Sequence, residues 1–377
     1  MPITRKIFTL HFLITEQCNL SCEYCYRDKG AEATLTSHAL KSSYDSVIQK
    51  LPADTHINIV FMGGEPFKAF DVLRDGITYM RTHSYGRKVS FKIITNGTLV
   101  HEDIQHWILE NNEDVGIGLS LDGPPDIQDR FRTQSSQQID ISFFKTLTNL
   151  EILSVVHPES LETFSDNMIY LSKFGFPVKA TYADGVDWKP IRDLPILEKE
   201  LSKLAHYYIE NPNIYPINFL AIATSALDCP PEKCLPGETS MAVDAHGEWY
   251  ACHRCSPYYN NGNWKIPSDL ISLSGITLST LASECTQCVG KNLCQICRAT
   301  IATVQHNLEA KTFICQAMKQ TLAIGTWLQC QLLSACVTEN RDLNSVALFA
   351  NRSGQQVKAM IDGAKKLLHS IQTEKAF

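Results

Sequence analysis

Six short apolar runs recur along the first half of the chain, each followed by a stretch with helical patterning, and this alternation restricts the fold more than any other feature. The runs are IFTLHFLI from Ile7, INIVFM from Ile57, VSFKIIT from Val89, VGIGLSL from Val115, EILSVV from Glu151 and VKATYA from Val178. They are rich in β-branched and aromatic residues and too short for buried helices, so they read as strands. Between and after them lie amphipathic segments such as SHALKSSYDSVIQK, with Ser37 as its expected N-cap, HEDIQHWILEN and LPILEKELSKLAHYYIEN. Six β/α units in succession predict a parallel sheet with helical crossovers. The expected fold class is therefore α/β, a partial (β/α)6 TIM-like barrel over residues 1–212.

Near Asn213 the pattern changes. A linker is expected over residues 213–228, then a small cysteine-rich domain over 229–316, and a C-terminal helical segment over 317–377 that contains QTLAIGTWLQCQLLSAC and GQQVKAMIDGAKKLLHSIQ. A chain of 377 residues has core enough to fold without disulfides, so its 14 cysteines call for another explanation. The apolar N-terminal run is interrupted by His11 and no small-residue cleavage site follows it, which points to a cytoplasmic protein whose clustered cysteines bind metal. No stretch approaches the roughly twenty apolar residues of a membrane span, so no membrane partner is expected. The net charge is −6 and lysine and arginine do not cluster, so no nucleic-acid partner is expected either.

Cys18, Cys22 and Cys25 follow the first strand with the spacing C-x3-C-x2-C. A loop of this kind can curl three thiolates onto one centre. Structural zinc takes four protein ligands, which a distant His or Cys would have to complete. A four-iron cluster held by three cysteines instead keeps one iron open for a substrate or cofactor. Small polar groups stand after the next strands as well: Gly63, Gly64, Glu65 and Pro66 in MGGEPF, Thr95 and Asn96 in TNGT, and Ser120 and Asp122 in LSLDG. The glycines let backbone approach a ligand closely, and Glu65 offers a carboxylate to an ammonium group. All lie at the strand ends where β/α barrels place their active sites.

On these residues the chain resembles the radical S-adenosylmethionine family. The resemblance implies that Cys18, Cys22 and Cys25 hold a 4Fe-4S cluster whose open iron binds S-adenosylmethionine, with Tyr24 beside the adenine. It implies that GGEP holds the methionine ammonium and that Ser120 and Asp122 face the carboxylate and ribose. DGPPDIQDRFR is similar to a stretch of the peptide-modifying branch, making Arg132 a carboxylate partner or a surface ion-pair residue.

A second cysteine field runs Cys229-x4-Cys234, Gly247-x4-Cys252, Cys285-x2-Cys288-x5-Cys294-x2-Cys297 and Cys315. Paired C-x2-C motifs mark a metal site, and zinc ribbons share them. The order resembles the SPASM extension of radical S-adenosylmethionine enzymes, which implies two auxiliary 4Fe-4S clusters. One would use Cys229, Cys234, Cys252 and Cys297, the other Cys285, Cys288, Cys294 and Cys315. The family spaces its last pair as C-x3-C, whereas Cys294 and Cys297 are two residues apart, and Cys255 stands near enough to replace Cys297. Cys330 and Cys336 read as core residues of a helix.

The resemblance implies cleavage of S-adenosylmethionine to a radical that removes hydrogen from carbon, with electrons supplied by a donor such as flavodoxin or ferredoxin. Sulfatase maturases use an aspartate after the cysteine equivalent to Cys252; here that position is His253. His253 is thus a candidate base or a hydrogen-bonding neighbour of a cluster. Asp184 and Asp187, with Trp188 in YADGVDWKP, are substrate contacts by position or loop surface. The activity expected is a peptide maturase that forms a carbon-carbon, cyclophane-type cross-link in a ribosomally made precursor peptide. Formylglycine formation or another SPASM dehydrogenation is the alternative within enzymes, and a zinc or iron-sulfur scaffold or electron carrier the alternative outside them.

Overall fold

A computed structural model describes residues 7–25, 27, 30–221, 237, 239–256, 265–266, 288, 294, 296–297, 300, 304, 307–338, 342–350 and 362. Cys229, Cys234, Cys285 and the segment GQQVKAMIDGAKKLLHSIQ, apart from Asp362, lie outside these residues. The chain divides into two units. The first draws on Met1–Ser120, Gln128–Glu151 and Cys234–Ser279, the second on Leu121–Ile127, Ile152–Lys233 and Thr280–Phe377.

Six strands of the expected series form where the apolar runs stand: β1 (Ile7–Thr15), β2 (His56–Gly63), β3 (Val89–Thr95), β4 (Val115–Ser120), β5 (Leu150–Val156) and β6 (Val178–Tyr182). Helices α1 (Ser37–Ile48), α2 (Phe70–Thr82) and α3 (Glu102–Asn111) return the chain between the first four strands. Within the first unit, β1 pairs with β2, β2 with β3 and β3 with β4, all parallel. On its other edge β1 pairs parallel with β7 (Ser240–Val243), which continues antiparallel into β8 (Trp249–Tyr250) and β9 (Lys265–Ile266). β1 is thus an interior strand, and its Leu10, Phe12 and Ile14 are wholly buried, as parallel sheets covered by helices require.

The cap of α1 differs from expectation. Thr36, not Ser37, is extended and accepts the Ala39 N–H on its hydroxyl at 3.1 Å, while the Ser37 hydroxyl donates to Asp75 on α2. Either residue suits the cap chemically; the chain turns into the helix one residue earlier than the pattern suggested. Two short helices, α4 (Pro125–Phe131) and α5 (Ile141–Phe144), fill the β4 to β5 connection, where Gln128 and Arg132 are buried.

In the second unit β5 pairs parallel with β6, joined by α6 (Phe164–Ser172). α7 (Pro190–Glu210) starts four residues before the expected segment, with Pro190 in its first turn, a position where the missing N–H costs nothing. α8 (Leu308–Thr338) packs along α7 and begins well before the expected helical tail, so Cys315 sits on this helix together with Cys330 and Cys336. Trp188 belongs to the same core: its ring stacks on Phe313 with centroids 4.0 Å apart, and its Nε1 donates to the Ala183 carbonyl at 3.0 Å. No described helix is long and apolar enough to cross a membrane.

Candidate active site

The loop after β1 is held at its base by backbone. Gly64 N donates to the Thr15 carbonyl at 2.7 Å and Glu65 N to the Gln17 carbonyl at 2.8 Å, so the end of β2 grips the start of the cysteine loop. This grip explains both glycines. A Cβ on Gly63, whose φ is +133°, would stand 2.5 Å from the Thr15 carbonyl oxygen, and one on Gly64 would stand 2.1 Å from that of Gln17. The close approach served by GGEP in this structure is to the chain's own residues 15–17.

Glu65 is fully buried, inside the motif rather than at its surface. Its Oε1 accepts the Thr95 hydroxyl at 2.8 Å and the Phe67 N–H at 3.2 Å, and its Oε2 accepts the Asn96 N–H at 2.8 Å. Burial pushes its pKa up to about 7 even though these three donors favour the ionised form. Pro66 opens a 3-10 turn over Pro66–Ala69 and fixes the direction in which the chain leaves the strand.

Asn96 connects β3 to the cysteine loop. Its Nδ2 donates to Asn19 Oδ1 at 3.1 Å and lies 3.8 Å from the Cys18 sulfur, and its Oδ1 accepts both the N–H and the hydroxyl of Thr98. Thr98 in turn accepts the Asn19 amide at 2.7 Å. The Cys18 sulfur also accepts the Leu20 N–H at 3.4 Å, and burial pushes its thiol pKa up. Cys22 and Cys25 lie on the same turn, with Cys25 N donating to the Cys22 carbonyl at 3.2 Å. Three half-buried thiols on one loop, with N–H donors aimed at the Cys18 sulfur, are the donor set that a thiolate-held iron-sulfur cluster needs.

The far side of the loop rests on the segment after α4. Ser21 N donates to Thr133 Oγ1 at 3.0 Å and Glu23 N to the Phe131 carbonyl at 2.9 Å. The Arg132 guanidinium lies over the Tyr24 ring, 5.4 Å from its centroid, a cation-π contact that orients the aromatic between Cys22 and Cys25. The Ser120 carbonyl is approached by the Gln128 amide at 3.5 Å. The first unit thus brings together Cys18, Cys22, Cys25, Tyr24, Gly63, Gly64, Glu65, Pro66, Thr95, Asn96 and Arg132 around one loop. Asn19 and Thr98 complete that network, and the only sequence signal for them was that they stand inside CNLSC and TNGT.

In the second unit Asp122 is buried, and its Oδ1 accepts the Val155 N–H at 2.8 Å. The Asp187 carboxylate is exposed and pairs with Lys189 at 3.0 Å, and Asp184 is half-buried. Cys288, Cys297 and Cys315 are half-buried and Cys294 is exposed.

The β7 to β8 turn is organised by Asp244, whose Oδ1 accepts the His246 and Glu248 N–H groups at 2.9 Å each and whose Oδ2 accepts the Tyr250 hydroxyl at 3.0 Å. Gly247, with φ +82°, occupies a turn position few other residues tolerate. β8 then delivers Cys252, followed by a 3-10 turn over His253–Cys255. The Cys252 and Cys255 sulfurs are 3.5 Å apart and both buried. Hydrogen bonding between the two thiols and burial push the Cys252 pKa well above its ordinary range. The His253 ring packs on that of His11 with centroids 4.5 Å apart, and desolvation lowers both imidazole pKa values, that of His11 to about 4. His11, seen in the sequence only as a break in an apolar run, therefore touches the second cysteine field at His253.

The model of the Radical SAM superfamily matches residues 12–183, the stretch that carries this loop and its strand ends. Residues 12–183 thus carry a radical SAM domain. Radical SAM membership implies S-adenosylmethionine and a 4Fe-4S cluster, which the three-cysteine loop has the ligands to hold. A cysteine-type anaerobic sulfatase-maturating enzyme of Clostridium novyi is 31% identical over 147 residues, 37% of this chain and 38% of that one. The match therefore spans well under half of that relative's length. Radical SAM cyclopropyl synthase TigE of Paramaledivibacter caminithermalis is 20% identical over 68% of this chain and 60% of its own. The solved structure of native anSMEcpe with bound AdoMet and Cp18Cys peptide shares the fold, with a TM-score of 0.67 at 20% identity over 89% of this chain and all of that one.

Proposed function

We propose that this radical SAM protein is a peptide maturase that abstracts hydrogen from a side chain of a ribosomally made precursor peptide and joins two of its side-chain carbons. The observation that carries the reading is His253. An imidazole packed against His11 stands directly after Cys252, at the position where the resemblance to sulfatase maturases calls for an aspartate. A peptide substrate is supported by the peptide held in the anSMEcpe structure, and ring formation by the name of the TigE relative.

When bound, the cluster and S-adenosylmethionine together supply a carbon-centred radical able to take a hydrogen atom from an unactivated position. The chain's own residues bind and orient. Cys18, Cys22 and Cys25 would hold the iron, and the Asn96 and Leu20 N–H groups steady the Cys18 sulfur. Tyr24, fixed by Arg132, offers a face to the adenine. Gly63, Gly64, Glu65 and Pro66 shape the backbone that meets the methionine end, with Thr95, Asn96, Ser120 and Asp122 at neighbouring strand ends. Asp184, Asp187 and His253 are the candidate contacts for the peptide. Each cross-link removes two C–H hydrogens and forms one carbon-carbon bond. The two hydrogens would leave as one atom and one proton, and the electron left behind would need an acceptor, which an auxiliary cluster held by the second cysteine field would supply, with flavodoxin or ferredoxin as its redox partner.

A second reading, oxidation of a Cys or Ser to formylglycine, is favoured by the sulfatase-maturating relatives. Tandem mass spectrometry of short peptides encoded beside the gene, co-expressed with this chain or with Cys22→Ala, separates the two. Loss of two hydrogens with missing backbone fragments between two residues, seen only with the intact chain, establishes the cross-link. The appearance of an aldehyde with complete fragmentation overturns it in favour of formylglycine, and unchanged peptides overturn both.

A further inference from the structure

The second cysteine field contains a pair that the expected ligand sets split. Cys252 is expected on an auxiliary cluster and Cys255 only as a replacement for Cys297, and their sulfurs lie 3.5 Å apart on one 3-10 turn, both buried. The separation is that of two neighbouring thiols close enough to meet on one atom. Two thiolates bound to one tetrahedral metal at about 2.3 Å stand about 3.8 Å apart. Thiolates on two different irons of a cubane point away from a common centre and stand well beyond that. A formed disulfide would measure about 2.05 Å, so no S–S bond joins the pair, and the two sulfurs stand closer than separate cubane corners would hold them.

We infer that Cys252 and Cys255 chelate one and the same metal atom, either one iron of a two-iron cluster or a single tetrahedral ion. The turn is built for this. The Cys255 N–H donates to the Cys252 carbonyl at 2.9 Å, closing the C-x2-C curl, and the Ser256 hydroxyl donates to the His253 carbonyl at 2.8 Å just beyond it. Each thiol releases one proton on binding, two for the pair, and no electron changes hands. The turn follows directly from β8, and His253 touches His11, four residues before the end of β1. His11 itself stands about 13 Å along that strand from its end, where the three-cysteine loop begins. The inference rests on the radical SAM reading only for the expectation that the metal is iron.

The test uses the full chain carrying Cys18→Ala, Cys22→Ala and Cys25→Ala together, so that bound metal no longer includes the first cluster. This protein, and versions with Cys252→Ser or Cys255→Ser added, are reconstituted anaerobically with 57Fe and sulfide, then assayed for iron, zinc and sulfide and examined by Mössbauer spectroscopy. Either serine is expected to perturb the same iron subsite, with the pair of serines losing no more iron than each alone. An unchanged iron count and spectrum in Cys255→Ser overturns the inference, as does a cubane spectrum that only Cys252→Ser alters. Native alkylation of the unmutated holoprotein guards against misfolded variants: Cys252 and Cys255 should become reactive together when metal is stripped, and early labelling of Cys255 alone refutes the shared atom. Zinc without sulfide at the pair supports the shared atom while overturning an iron-sulfur centre there. Cleavage of S-adenosylmethionine by the unmutated chain tests the radical SAM reading separately.

Discussion

Replacing Glu65 with glutamine tests whether the carboxyl at the end of β2 is a strut whose ionisation the fold resists. Burial holds its pKa near 7, against an ordinary 4.5. A carboxyl raised in this way binds more protons in the folded chain than in the unfolded one between these values. Its contribution to stability is therefore complete below pH 4.5 and is lost as pH rises through about 7. The difference amounts to about 3 kcal/mol across that window. Glutamine does not titrate, so Glu65→Gln lacks this slope. It carries a cost of its own, because its amide nitrogen must face a donor, the Phe67 N–H at one oxygen position or the Asn96 N–H at the other. A buried mismatch of that kind costs about 2 kcal/mol. The variant should thus be less stable than the parent near pH 5 by roughly this amount. By pH 8 the gap should close or reverse by about 1 kcal/mol, the difference between the two terms. Urea unfolding of both metal-free proteins, followed by tryptophan fluorescence at intervals from about pH 5 to 8.5, reads the two profiles. Parallel profiles would refute the reasoning, since they would mean that Glu65 does not change its charge in this range.

Four further substitutions follow, two beside Glu65 and two at an ion pair across the sheet. Gly64→Ala forces a Cβ to within 2.1 Å of the Gln17 carbonyl, and should lower stability by more than about 2 kcal/mol and release the iron of the first cluster, read by unfolding and iron analysis. Asn96→Leu removes an N–H directed at the Cys18 sulfur, so the midpoint of an EPR-monitored redox titration should move to more negative potential; an unchanged midpoint would remove Asn96 from the sulfur's surroundings. Lys92 on β3 pairs with Glu151 on β5, both largely shielded, so Lys92→Met should cost about 2 kcal/mol, and Lys92→Met with Glu151→Met should cost less than the single change. A double variant as unstable as the sum of its singles would show that the pair is not coupled.

The strands were legible because buried parallel strands are apolar on both faces, and each of the six runs stands within a residue or two of its strand. Interactions across the sheet were not. Glu65 reads in sequence as a carboxylate available to a ligand, and only the fold shows three internal donors converging on it. Lys92 and Glu151 appear as charges inside apolar runs, with nothing to pair them until their strands are placed. The short helix α4 starts on the second of two prolines and has too few residues for a helical period to emerge. The start of α8 at Leu308 was hidden because its first turns carry Cys315 and polar residues that read as part of a metal-organised domain.

Pairing of β7 with β1 has a consequence for dissecting the chain. Thr9, Leu10, His11 and Phe12 face Ser240, Met241, Ala242 and Val243, and Thr9 N donates to the Thr239 carbonyl at 2.9 Å. A fragment cut between Ala183 and Thr239 would keep the six apolar runs and the three-cysteine loop, yet would bare the backbone of its most apolar strand along one side. Such an edge templates strand addition from another copy, and the fragment should aggregate or dimerise through it. The hairpin that delivers Cys252 is thus also the guard rail of the sheet, and solubility and metal binding are tied to the same dozen residues.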